Sequence, residues 1–168
     1  RRDRHREVRR VLEAVQLGDR ADDRVRALSG GMVRRLGIAQ SLLGQPRLLV
    51  LDEPAAGLDP DQRLQLRDLL TTLGATSTVV VSTDMTDEAA AISSQVIVIA
   101  DGTTRFVGTA AGLTRLAGER VWIAPQAPAR ATRSWRQPDG TYRCIGDPPP
   151  GSTMVEPTME DGYLLLVS

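Results

Sequence analysis

Two stretches of this 168-residue sequence carry residue types and spacings that could do chemistry. The apolar run RLLVLDEP, 47–54, ends in adjacent carboxylates, Asp52 and Glu53. A buried strand of a parallel sheet ending this way presents both groups at its carboxyl edge, where open α/β sheets bind ligands. There Asp52 is placed to hold Mg2+, directly or through water, and Glu53 to orient or deprotonate a water. The bland alternative is an acidic pair in a solvated turn. The second stretch is Ser29-Gly30-Gly31, directly before the helical run MVRRLGIAQSLL. Ser29 is a good N-cap, and the free N–H groups of a helix start favour anions, phosphate above all. The alternative here is a capped structural helix with a glycine turn.

The elements that must position these groups follow from pattern. Residues 3–17 read as a polar helix with Val8, Val11, Leu12 and Val15 on one face. Leu36, Ile38, Ala39, Leu42 and Leu43 recur at near-helical spacing, and Gly44 and Pro46 stop that helix. RLLVLDEP has the length and flanks of a strand buried on both faces of a parallel sheet. Residues 60–73 form a helix with Asp59 as N-cap, Pro60 in its first turn and Gly74 at its end. STVVVST, 77–83, reads as the next buried strand, and a short helix is expected at about 86–93. QVIVIADG and TRFVGT suggest two strands around an Asp101-Gly102 turn, and AAGLTRLAG a short helix. Alternating strands and helices to residue 118 indicate an α/β layer fold. Beyond Gly118, Pro, Gly and Arg rise, and 119–168 reads as a small β-rich appendage with a turn at Pro138-Asp139-Gly140.

Composition narrows the functions. Lys+Arg and Asp+Glu are 21 each, so no basic excess points to nucleic acid. Aromatic residues, at 3%, are too few for a base-stacking surface. Cys144 is the single cysteine, which excludes an internal disulfide and a Cys-rich metal site. The apolar runs are far too short to span a bilayer, and the sequence opens on a charged helix rather than a signal peptide, so a cytoplasmic location is expected. There is no lysine, and His5 is the only histidine.

LSGGM at 28–32, RLLVLDEP at 47–54 and AGLDP at 56–60 stand in this order with tight spacing. Together they resemble the nucleotide-binding domain of ABC transporters, most strongly over 20–62, in the manner of the bacterial drug- and antibiotic-export branch. GTAAGL and EPTMEDGYLLLV are similar to that branch's closing segments. The resemblance implies a P-loop NTPase-like α/β fold, ATP and Mg2+ as cofactors, and an ATPase subunit that pairs head to tail with a second one. It also implies a membrane permease as partner and a place on the inner face of the cell membrane, with no nucleic acid involved. Ser29, Gly30 and Gly31 would then contact the γ-phosphate across the dimer. Asp52 would hold Mg2+ and Glu53 would be the general base. Asp59 would belong to the loop that crosses the interface, although it also reads as a helix cap. Arg34 and Arg35 could face phosphate or form a solvated helix face.

Two departures qualify that expectation. The phosphate loop GxxxxGK[S/T] is absent, and without lysine it cannot be degenerate; the chain is therefore expected to be the C-terminal part of an ATPase, with 1–118 from the ATPase domain. Where the family has Ser-Thr-His, contacting the γ-phosphate through the His, this sequence has Ser82-Thr83-Asp84. Asp84 would lie by the nucleotide or cap the following helix. A degenerate domain that binds and regulates without hydrolysis is thus the alternative to an exporter's ATPase. A DNA-repair or chromosome ATPase with the same signature would carry heptad coiled coils, which this sequence lacks.

Overall fold

The computed structural model describes residues 2–129 and 131–168, which form two compact units, 1–84 and 85–168. In the first, the polar helix forms as α1, Arg2–Ala14, and the signature helix as α2, Gly30–Ser41. Val11, Leu12 and Val15 are buried with Ile38, Ala39 and Leu42, whereas Val8 remains 41% exposed. The middle of α1 is laced to the C-terminal end of α2 by Arg10, which donates to the Leu42 carbonyl at 3.2 Å, and by Glu7, which accepts the Gly44 N–H at 3.2 Å.

Strand β1, Leu48–Asp52, helix α3, Pro60–Gly74, and strand β2, Thr78–Ser82, make one parallel βαβ unit. The register runs from Leu48 opposite Thr78 to Asp52 opposite Ser82. Leu49 and Leu51 are buried on one face of β1, and α3 buries Leu66 and Leu70. The other face is bare: Leu48 is 56% exposed, Val50 69% and Val80 49%. The expectation that β1 is buried on both faces is therefore corrected. Its apolar content does suit double burial, but within this unit only one layer covers it.

The second unit comprises α4 (Thr86–Ile92), the antiparallel pair β3 (Val96–Ala100) and β4 (Thr103–Gly108), and α5 (Ala110–Leu116). Asp101 and Gly102, with φ of 50° and 69°, make the β3–β4 turn, which needs left-handed backbone at both positions. An antiparallel sheet in the order β6-β7-β5-β8 follows, from β5 (Val121–Ala124), β6 (Arg133–Arg136), β7 (Tyr142–Ile145) and β8 (Thr153–Met154). The segment after Gly118 is not only β: it ends in helix α6, Met159–Leu166. Met159 joins Val96, Val98 and Leu113 in one core, with Phe106, Tyr163 and Leu166 packed against it. The composition change at Gly118 thus falls inside a packed unit. Gly162 lets α6 approach α5 closely, since a Cβ there would lie 2.1 Å from the Leu113 carbonyl oxygen.

One buried ion pair ties α6 to the sheet. Arg143 on β7 donates to both carboxylate oxygens of Asp161, at 3.0 and 2.6 Å, and to the Glu156 carbonyl. Asp161 also accepts the Thr158 N–H and hydroxyl, in a capping box at the start of α6. Burial pushes the Asp161 carboxyl up, but Arg143 and Thr158 outweigh it and hold it below the ordinary 3.8. A depressed folded-state value stabilises above the unfolded value and is lost as pH falls through the folded one. The melting temperature should therefore be insensitive to this group from about pH 7 to 5 and should fall below about pH 4. Asp161→Asn, which strands Arg143, should cost about 3–5 kcal/mol at neutral pH and flatten the acid limb in circular-dichroism melts.

Candidate functional site

The parallel register brings the acidic pair beside a residue thirty positions away. Ser82, at the end of β2, donates its hydroxyl to Asp52 Oδ1. The Glu53 N–H in turn donates to the Ser82 hydroxyl at 3.0 Å and to the Ser82 carbonyl at 3.2 Å. One hydroxyl therefore joins both site residues at the carboxyl edge of the sheet. Asp52 is exposed, and its second oxygen has no partner among the described residues. Glu53 is half-buried and adopts φ of 43°, the left-handed region that non-glycine residues avoid.

Arg34 reaches this turn from α2. It donates to the Glu53 carbonyl at 3.0 Å and to the Ala56 carbonyl at 3.2 Å. Arg35 donates to the Val15 carbonyl and to Gln65 Oε1. Neither arginine lies on a solvated face; both knit α2 to neighbouring elements. Asp59 caps α3, accepting the Gln62 N–H at 2.8 Å, so its structural role is the one seen.

Ser29 caps α2 by accepting the Met32 N–H at 3.3 Å. Gly30 and Gly31 lie inside the helix and not in a turn before it, and neither has positive φ. Local backbone therefore does not require glycine at either position. At Gly31 a Cβ would meet the Gln62 side-chain amide, 2.5 Å away at its nearest atom, whereas at Gly30 nothing lies within 4 Å. Ser29 and Gly30 are exposed to solvent. Asp84 is also exposed and does not cap the next helix, because the N-cap of α4 is Met85, without a side-chain cap bond.

The sequence singled out Asp52 and Glu53 and named Arg34 and Ser82, but not the partners they take here, and it missed Gln62. Ser82 carried a usable signal, since it ends a strand of the same length and type as the one ending in Asp52. Among the described residues no group of three or more His, Cys, Asp or Glu is placed to hold a metal ion. No helix among them is long and apolar enough to cross a membrane.

The family profile described as ABC transporter matches residues 2–56. The aliphatic sulfonates import ATP-binding protein SsuB of Albidiferax ferrireducens is 37% identical, covering 89% of this chain and 59% of its own length. The Nod factor export ATP-binding protein I of Neorhizobium galegae is 44% identical, over 55% of this chain and 27% of its own. Among solved structures, the ADP conformation of MJ1267, an ATP-binding cassette of an ABC transporter, superposes with a TM-score of 0.57 at 23% identity. That match covers 62% of this chain and 41% of the cassette. The chain thus spans between about a quarter and three fifths of the length of these relatives, and it carries part of an ABC transporter ATP-binding domain.

Proposed function

We propose that this chain is part of the ATP-hydrolysing subunit of an ABC transporter, working as a head-to-tail pair with a second such subunit and docked on a membrane permease at the inner face of the membrane. Export is the direction we favour, on the likeness of 20–62 to the drug-export branch. Residues 1–118 would be the ATPase portion and 119–168 an appendage. The observation that carries the reading is the Asp52–Ser82–Glu53 cluster at the carboxyl edge of a parallel sheet. Mg2+ is commonly held by one or two carboxylates together with nucleotide phosphates and waters, and Asp52 with one unengaged oxygen fits that pattern. The metal would neutralise phosphate charge as the terminal phosphoryl group departs. Glu53 accepts the proton of the attacking water. Ser29, Gly30 and Gly31 offer a hydroxyl and helix-start N–H groups to the phosphate of the facing subunit.

Glu53→Gln keeps the shape of the side chain but not its basicity. In the complete ATPase it should lower steady-state turnover about a hundredfold or more while leaving MgATP binding intact. The 168-residue chain, which has no lysine to grip phosphates, should show no turnover in the same assay. A Glu53→Gln rate within a few-fold of the parent would reject the role of base.

The open space at Gly30 gives a separate test. Alanine favours helix over glycine by up to about 1 kcal/mol, so Gly30→Ala should keep or raise the melting temperature. If a phosphate approaches this helix start, the same variant should weaken turnover in the complete ATPase. Unchanged turnover would leave Gly30 without a binding role.

Asp84 supports the second reading, a domain that binds without hydrolysing. If its carboxylate faces the γ-phosphate, even about 1.4 kcal/mol of repulsion in the transition state slows the reaction tenfold. Asp84→His should raise the ATPase rate, and Asp84→Asn should raise it less. With no cap bond to lose, neither change should lower the melting temperature. Unchanged or slower turnover in Asp84→His would reject the charge argument.

A further inference from the structure

We infer that Arg34 is a positioning residue for Glu53, holding the backbone turn that aims the Glu53 carboxylate; this rests on the reading of Glu53 as the base. The Glu53 peptide groups are held on both sides. The N–H is taken by the Ser82 hydroxyl and carbonyl, and the carbonyl by Arg34 Nη1. Between those anchors φ is 43°, a conformation that costs a glutamate energy and that rotation to negative φ would relieve. Such a rotation would swing the Cα–Cβ bond and re-aim the carboxylate. The two anchors oppose it.

The shape of the donor matters here. Arg34 spends its fork on two carbonyls three residues apart, those of Glu53 and Ala56, so one planar group fixes the curvature of the turn. Among the described residues it forms no ion pair with the Glu53 carboxylate, which stays open to a water. A lysine offers a single donor atom on a flexible stem and would hold the two carbonyls less rigidly than a planar fork. A methionine, with no N–H donor, would bond neither. Because Arg34 sits on α2, which begins at Gly30, the clamp also ties the Glu53 peptide to the helix that carries the signature residues.

The test compares Arg34→Met, Arg34→Lys, Glu53→Gln and the Arg34→Met/Glu53→Gln double variant in the complete ATPase. Turnover, MgATP affinity and melting temperature are measured on each. Misplacing a reacting group costs about ten- to a hundredfold in rate, so Arg34→Met should lose that much kcat with MgATP affinity within about twofold of the parent. Arg34→Lys should recover part of the loss. In the Glu53→Gln background, Arg34→Met should lower the residual rate no further, since there is no base left to aim. If Arg34→Met does not fold, Arg34→Lys carries the comparison: lowered kcat at unchanged affinity supports the inference, and unchanged kcat overturns it. Equal rate losses from Arg34→Met with and without Glu53 would also overturn it. A loss in Glu53→Gln with none in Arg34→Met removes the positioning role alone. No loss in Glu53→Gln removes the base and the positioning role together.

Discussion

The pairing of β1 with β2 is the constraint on which the site depends. Two parallel strands cannot be joined by a tight turn, so α3 must return the chain along the sheet before β2 can begin. That return places Ser82 opposite Asp52, and a slip of one residue would turn every side chain of β2 to the other face. The hydroxyl that joins Asp52 to the Glu53 N–H would then be gone. The loop between β1 and α3 is short and held at several points: Glu53 by Ser82, Glu53 and Ala56 by Arg34, and the Leu58 carbonyl by Arg63. The Glu53 turn is therefore fixed by secondary structure on one side and by α2 on the other.

The same sheet explains why the first unit looks incomplete. A two-stranded sheet is marginal by itself, and parallel strands are ordinarily covered on both faces. Here Leu48, Val50 and Val80 share the uncovered face, and the rows they form end at Asp52 and Ser82. Fully burying one side chain of this kind contributes about 1.5–3 kcal/mol, and with three that are half to two-thirds exposed the bare face forgoes about 3–5 kcal/mol. The relatives are longer than this chain, and the apolar character of β1 matches a strand with layers on both sides.

Much of this was legible locally. Ser29 and Asp59 read as helix caps because a cap is a matter of three residues, and both bonds are present. The Asp101-Gly102 turn was legible for the same reason. What escaped were partners set by tertiary contact. Arg34 meets carbonyls 19 and 22 residues away, and Ser82 meets a carboxylate 30 residues away, distances over which no periodicity speaks. Helix α6 is the exception, since Thr158 and Asp161 stand at capping-box spacing before Tyr163-Leu164-Leu165-Leu166. That signal was overridden by the proline-rich composition just ahead of it. Asp84 failed in the opposite sense: its type suits a cap, but the backbone put Met85 at the cap position.

The two adjacent carboxylates are held in different ways. Asp52 is still in the strand, so its side chain points out of the pleat, where the Ser82 hydroxyl takes one oxygen. Glu53 is the first residue past the strand, and its left-handed backbone breaks the alternation that would have sent it to the opposite face. With Ser82 bound to its N–H and Arg34 to its carbonyl, the hydrogen bonds that hold Glu53 among the described residues are made by its backbone. The carboxylate itself carries none of the load of holding the turn. A residue whose backbone is fixed and whose side chain is uncommitted can act on a water without disturbing the structure that places it, which is the arrangement the proposed role of Glu53 requires.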